Sequence, residues 1–471
     1  MKLETVIGLE VHVELSTQSK LFCGCSTAFG APVNAHVCPV CLGMPGTLPV
    51  LNRKVPEYAM AVALALHCTI PPLTRFDRKN YFYPDNPQNY QISQLFLPIG
   101  TNGWLDTGAG KRVRIHELHM EEDAGKLVHA EDGSGSLVDH NRAGVPLIEI
   151  VTEPDMRSAE EVLDFLTELR SRILYLGVSD CRLQEGSMRA DVNLSLREKG
   201  SDALGTRTEM KNLASFTAIR RAISAEAQRQ EALLSAGEAV EQETRRFDED
   251  SGKTLLMRGK ETIRDYRYFP EPDLPPLRID EEWIGSIRSR QPEFRGEKKE
   301  RFRTQYAIGD KEIGILTEDP HLAELFEETA ALSADAGKAS NWLLGETLRL
   351  MKEEGIEAKD LRFSAGNLAE LIRMTKQGEV SSTAAKEIFA RMFENNADPH
   401  ACMEELGLRQ QSDADVIRGI CEKVLAENPD AVADYRAGKD RALGFLVGQG
   451  MKASGGRADP GLLRECMKEL L

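Results

Sequence analysis

The stretch VIGLEVHVEL, Val6–Leu15, alternates with a period of two, and no other segment constrains the fold as tightly. Successive side chains of a strand point to opposite faces. Leu9, Val11, Val13 and Leu15 therefore share one side, while Glu10, His12 and Glu14 share the other. A sheet built on this strand has one apolar face to bury and one face carrying a row of carboxylate, imidazole and carboxylate. The solvated outer face of an antiparallel sheet satisfies the same pattern, but two further segments point to convergence. PLIEIVTEP embeds Glu149 between Ile148 and Ile150, and MRADVNLSL sets Asp191, Asn193 and Ser195 opposite Val192, Leu194 and Leu196.

The segment HELHMEEDAGK, His116–Lys126, adds three consecutive acids, Glu121, Glu122 and Asp123, to a chain whose formal charge is already −16. Most acidic runs are solvated faces, yet seven of the nine histidines lie at or before His140, which places the chemistry in the N-terminal half. Glu10, His12, an acid from 121–123, Glu149 and Asp191 are expected on one concave sheet surface. Oxygen-rich ligation with one imidazole suits a hard divalent cation, magnesium or manganese, and through it phosphate. Alternation alone leaves open which of the three acids coordinates.

A second constellation is the set Cys23, Cys25, Cys38 and Cys41, in the pattern C-x-C-x12-C-x2-C. Two close pairs on turns, joined by a short hairpin, bring four thiolates to a tetrahedral zinc. Gly24, Pro39 and Gly43 supply the turns. Four small buried hydrophobes are the plainer alternative. With no fifth ligand in the pattern, the expected site is closed and structural, and stabilises a loop.

Between the acidic strands, RKNYFYPDNPQNYQISQ (Arg78–Gln94) combines Lys79 with Tyr81, Phe82, Tyr83 and Tyr90, and RDYRYFPEPD sets Tyr266, Tyr268 and Phe269 beside Arg264 and Arg267. Aromatics interleaved with cations suit base stacking and phosphate contact, although the same rings also pack sheet edges. No G-x-x-x-x-G-K-[ST] occurs, since Phe247 stands where SGKTLL would need its first glycine. Neither G-x-G-x-x-G nor H-E-x-x-H is present, nor a Gly/Ser-rich amidase nucleophile segment.

A chain of 471 residues has room for about two to four domains. The first part, to roughly residue 270, reads as strand-rich α+β. Within it a helix over Ser158–Leu176 opens on the Ser158/Glu161 capping box and stops at Gly177, and a second helix covers about Phe216–Leu234. Four prolines in Tyr268–Leu277 look like a domain exit; helical patterns follow and change again near Asp398. From Tyr435 to Leu471 there are seven basic residues against four acidic ones, the one place where the balance leans toward RNA. Elsewhere the acidity argues against a broad grip on DNA. No apolar run approaches the roughly 20 residues that span a bilayer. Nine cysteines, four of them in a metal-like pattern, point to a reducing, cytoplasmic setting.

Ten motifs spread over the chain resemble one family. They are IGLEVHVEL, FDRKNYFYPDNPQNYQISQ, HMEEDAGK, RAGVPLIEIV, QEGSMRADVNLS, EMKNLASF, QETRRFDE, DYRYFPEPDLPPL, SNWLLGE and GFLVGQGMKAS. The family is that of the B subunits (GatB) of the tRNA-dependent glutamyl/aspartyl amidotransferase. The resemblance implies ATP-dependent phosphorylation of the side-chain carboxylate of mischarged Glu-tRNA(Gln) or Asp-tRNA(Asn). Amidation follows, with ammonia released from glutamine by an amidase A subunit; a small C subunit completes a heterotrimer. It implies an α+β cradle-shaped catalytic domain over 1–290, a helical domain over 291–397 and a tRNA-contacting tail over 398–471. It places magnesium (or manganese) on Glu10, His12, Glu122, Glu149 and Asp191. Lys79 and Arg267 are the cations expected to assist phosphoryl transfer, and zinc on the four cysteines rests mainly on their spacing. A lone tRNA-modifying enzyme and a non-enzymatic scaffold are the competing classes.

Overall fold

The structure, a computed structural model, describes residues 2–130, 133, 135–258, 265–410 and 413–471. It divides into two compact units, Met1–Phe294 and Arg295–Leu471.

The first unit is organised by an eight-stranded sheet. Its strands in chain order are β1 (Leu3–Glu14), β2 (Gly100–Asp106), β3 (Arg112–Glu122), β4 (Pro146–Thr152), β5 (Met188–Glu198), β6 (Thr208–Lys211), β7 (Glu243–Asp248) and β8 (Lys253–Arg258). They lie side by side in the order β8-β7-β6-β5-β1-β4-β3-β2. Only the β6–β7 pair is parallel. Leu9, Val11 and Val13 of β1, Leu118 and Met120 of β3, Ile148 and Ile150 of β4 and Val192 and Leu194 of β5 make one buried apolar face. Against the same core pack α1 (Lys54–Ala65), α2 (Ala159–Leu176) and α3 (Phe216–Ser235).

Local chemistry sets the ends of α2. The Ser158 hydroxyl accepts from the Glu161 N–H at 3.2 Å, and Gly177 closes the helix at φ 66°. The capping box is half of what the sequence implies, because the Glu161 carboxylate accepts instead from the Arg157 N–H and the Lys111 ammonium, each at 2.7 Å. The proline cluster does not end the unit. Leu274, Ile279, Ile284 and Ile287, from that cluster and the helix Glu281–Arg288, belong to the first core.

The second unit is helical and holds two cores. One joins Phe302, Phe326, Leu371 and Phe389. The other joins Ile417, Cys421, Leu446, Leu463 and Met467. Helix Pro399–Glu405 gives Cys402 and Met403 to the former, so the last small core begins with helix Ala414–Glu427, beyond residue 398. A strand-rich first unit followed by helices is the α+β class expected from the sequence.

Candidate functional site

Strand register assembles the polar face. His12 of β1 lies opposite Glu149 of β4 on one side and Arg189 of β5 on the other, and Glu149 lies opposite His119 of β3. Four neighbouring strands thus contribute Arg189, His12, Glu149 and His119 to a single row. The adjacent row pairs Glu10 with Asp191, and Glu121 stands opposite Leu147 beyond the first row. A period-two side-chain pattern in register across antiparallel neighbours stacks like with like.

Two groups of carboxylates result. His12 Nε2 lies 3.5 Å from Glu121 Oε1 and 3.6 Å from Glu149 Oε2. These separations exceed by roughly half an ångström the spacing of adjacent donors in an octahedral site with bonds of about 2.1 Å, so a small closure of the three side chains would accommodate a hard divalent cation. The second group is Glu10, Asp191 and Glu209, whose donor atoms all lie within 4.8 Å of one another. Lys211 Nζ sits in it, 2.5 Å from Asp191 and 3.0 Å from Glu209, while Asn193 Nδ2 donates to Glu10 at 2.9 Å. His12, Asp191 and Lys211 line a cleft of about 840 Å³, together with Glu14, Arg142 and Arg189.

The charges are strongly coupled. Burial and the neighbouring Glu149 carboxylate raise the pKa of Glu10, against the Asn193 hydrogen bond. Burial works against ionisation of Glu149, yet His119, His12 and Lys79 hold its pKa well below the usual carboxylate range. Burial likewise opposes charge on Lys79, but Glu121 and Glu149, with Tyr268 and Tyr266, hold its ammonium above the ordinary lysine value. Lys79 also lies over the Tyr266 ring, 5.1 Å from its centre.

The expected residues do not all meet. His12 and Glu149 share one group, and Glu10 and Asp191 the other. Glu122 joins neither. It continues the apolar side of β3 after Leu118 and Met120, is buried, and accepts through Oε1 from Ile92 N–H at 3.0 Å and Gln88 Nε2 at 3.1 Å. Burial, opposed by the Ile92 N–H, pushes its carboxyl up to about 8. The position in the cluster is taken by Glu121. Asp123 is tied to Arg189 at 3.0 Å and Arg142 at 3.3 Å. Arg267 is exposed, in a left-handed backbone conformation (φ 46°), with its guanidinium 5.9 Å from the centre of the Phe82 ring. Arg264 lies outside the described residues.

The four cysteines do converge. Cys41 Sγ is 4.0 Å from Cys25 Sγ and 3.9 Å from Cys38 Sγ, and all four sulfurs lie within 4.8 Å of one another. Zinc with bonds of about 2.3 Å separates its thiolates by about 3.8 Å, so the set fits with little adjustment. The Cys38 N–H donates to Cys41 Sγ at 3.2 Å. Hydrogen bonding from Cys23, then from the Cys38 N–H, with Lys20 nearby, pushes the Cys41 thiol down to about 4 against the effect of burial. The loop carrying them, between β1 and α1, forms turns rather than the hairpin expected from the spacing.

Residues 5–285 match the GatB/GatE catalytic domain, and residues 324–471 match the GatB domain. The chain belongs to the GatB family. The B subunit of an aspartyl/glutamyl-tRNA(Asn/Gln) amidotransferase from Lachnospira eligens is 57% identical, over 99% of each chain. The B subunits of the same name from Lachnoclostridium phytofermentans and Caldicellulosiruptor saccharolyticus are 55% and 51% identical, over 99% and 100% of this chain and 98% and 99% of their own.

In this GatB chain the residues that sequence reading did not single out are His119, Glu209 and Lys211. Extending the period-two count from Leu118 and Met120 places His119 and Glu121 on the polar side, and the same count along TEMK pairs Glu209 with Lys211. Among the described residues no helix is long and apolar enough to cross a membrane.

Proposed function

We propose that the chain is the activating subunit of a glutamine-dependent aminoacyl-tRNA amidotransferase. It uses ATP to phosphorylate the side-chain carboxylate of Glu-tRNA(Gln) or Asp-tRNA(Asn), and ammonia then yields Gln-tRNA(Gln) or Asn-tRNA(Asn). The observation that carries this reading is the His12–Glu121–Glu149 group, on strands that lie within the stretch matching the family's catalytic domain. In the first step a carboxylate oxygen attacks the γ-phosphorus and the bond to ADP breaks. In the second, ammonia attacks the acyl carbon and phosphate leaves. His12, Glu121 and Glu149, with Glu10 and Asp191 alongside, would hold magnesium or manganese, which would supply charge neutralisation for phosphoryl transfer. Lys79 holds a fixed positive charge beside that group, and Arg267 stands at the exposed aromatic edge where a phosphate or base can reach it.

Zinc on Cys23, Cys25, Cys38 and Cys41 serves the fold. An amidase A subunit is the ammonia source, and a small C subunit joins the two in a cytoplasmic heterotrimer. The acid-poor end of the second unit, within 398–471, contacts the tRNA, and 291–397 carries the helical domain between tail and cradle.

The test measures phosphate release from ATP by the full chain with magnesium, with and without mischarged tRNA. Release dependent on that tRNA, and lost in His12→Ala and Glu10→Gln with unchanged circular dichroism, supports the reading. Near-normal release in both variants at limiting magnesium would sink it. A scaffold releases no phosphate at all, and a lone modifying enzyme does not depend on the aminoacyl group.

A further inference from the structure

Lys20 is the most unusual charged residue in the molecule. Its side chain is fully buried, at 0% exposure, and is among the largest such groups in the chain. An ammonium removed from water needs both hydrogen-bond acceptors and a compensating negative charge. Lys20 Nζ donates to the carbonyls of His36 at 2.7 Å and His140 at 3.1 Å. Those carbonyls satisfy donors but do not neutralise charge. Among the described residues no carboxylate lies in ion-pair contact with it, and its third partner is Cys41 Sγ at 3.6 Å.

A zinc held by four thiolates carries a net charge of about −2, and Cys41, the buried one of the four, is the thiolate whose charge water offsets least. The two problems solve each other. We propose that Lys20 is a positioning residue for the four-thiolate centre: its ammonium offsets the excess negative charge at Cys41 and fastens the metal-binding loop to the strand-end segment 138–145. This rests on the zinc reading of the four cysteines.

The fastening is visible in the surrounding bonds. Leu21 N–H donates to Gly144 O at 2.9 Å, His36 N–H to Asn141 Oδ1 at 2.8 Å and Asn141 Nδ2 to Pro32 O at 2.7 Å. Beyond this seam, Gly144 N–H donates to Asp123 O at 2.9 Å and Asp123 N–H to Val145 O at 2.8 Å. Metal occupancy is thereby linked, through Lys20 and the seam, to the end of the strand that carries Glu121.

The experiment uses the full-length chain. Zinc content is measured first, then zinc transfer to a chromogenic chelator in wild type and Lys20→Met, a neutral side chain of similar length. The expected result is near one zinc per wild-type chain and zinc loss at least tenfold more readily from Lys20→Met, with faster amide exchange over 138–145. Equal retention in a folded Lys20→Met chain overturns the assignment of Lys20 while leaving the zinc site standing. A wild-type chain that is fully folded without metal overturns the zinc reading itself. Should Lys20→Met not fold, acylation of wild type decides, with exposed Lys54 as the control. Lys20 is expected to be protected when zinc is bound and reactive after zinc is stripped, and protection that ignores zinc overturns the proposal.

Discussion

A fully buried carboxylate on the helix packed against one end of the sheet, and a group of mostly half-buried ones at the sheet's centre, are treated in opposite ways. At the β7–β8 end, Glu226 of α3 is fully buried, at 0% exposure, yet completely answered. It accepts from Arg229 Nε at 3.0 Å and Nη2 at 2.8 Å, from Gln230 at 2.9 Å and from the Thr254 hydroxyl at 2.7 Å. Burial opposes its ionisation, and Arg229, Gln230 and Thr254 more than offset that, so its pKa falls below the ordinary value. In the central rows, Glu10, Glu121, Glu149, Asp191 and Glu209 share Lys79, Arg189, Lys211 and the imidazole of His119; these hold Glu121 and Glu149 low, while the pKa of Glu10 rises. Internal pairing closes Glu226 and makes it structural, in contrast to the central set. That set carries more negative charge than its own side chains answer, which suits an external cation.

The largest expected effect separates the two by substitution. Glu149→Gln is expected to lower tRNA-dependent ATP cleavage on the order of a thousandfold, equivalent to about 4 kcal/mol, and to weaken manganese binding measured by electron paramagnetic resonance. Its melting temperature should fall less than that of Glu226→Ala. A variant that loses stability but keeps manganese would place Glu149 with Glu226 as a structural acid.

Glu226→Ala is expected to do the reverse. It leaves Arg229 with only Glu243, at 3.7 Å, and removing one member of a buried pair costs about 3 kcal/mol or more. Because Arg229 is partly exposed, the lower end applies. Urea unfolding should show the loss while manganese affinity stays at the wild-type value; a parallel loss of manganese would join the two regions into one network.

Glu122 sharpens the comparison by pH. Its folded pKa of about 8 lies above the ordinary 4.5, so the folded state holds the proton more firmly than the unfolded state does. The stability this gives is fully present below about pH 4.5 and is lost as pH rises through 8. Glu122→Gln keeps an oxygen acceptor for Ile92 and Gln88, and is expected to flatten the fall in melting temperature between about pH 4.5 and 8. An unchanged pH slope would mean that Glu122 is already ionised in the fold.

The smallest effect concerns the far end of the chain. Truncation after about Asp398 is expected to weaken tRNA binding with a reduced salt dependence, and to leave manganese affinity of the central rows intact. Identical binding curves across a salt titration would remove the tail from RNA contact.

Most of this organisation is legible in the sequence. The strands Leu3–Glu14, Pro146–Thr152 and Met188–Glu198 follow from alternation, because a strand with one buried face tolerates no slip of a single residue. Helix Phe216–Ser235 falls within a residue of its expected end. Alternation leaves open which of Glu121, Glu122 and Asp123 faces the cluster, and the family resemblance points to Glu122; the apolar neighbours Leu118 and Met120 carry the parity that sets Glu121 on the polar side. The proline cluster resembles an exit because prolines mark irregular backbone, yet irregular backbone still packs when Leu274 and Ile279 follow it.

By itself, then, the sequence determined which residues lie on which side of the strands Leu3–Glu14, Pro146–Thr152 and Met188–Glu198, because that needs only the covalent geometry of neighbours. It also determined the four-thiolate set, because close cysteine pairs on turns leave little freedom. Tertiary structure alone decided how the strands line up. The register that sets His12 against Glu149 comes from contacts between segments more than a hundred residues apart in the chain, and the same packing sets Glu149 against His119. So does it bury Lys20 between His36 and His140, which no local pattern announces. Pairing across strands is fixed by the packing of the whole apolar face, and only when that face closes do the acids on the other side gather into their two groups.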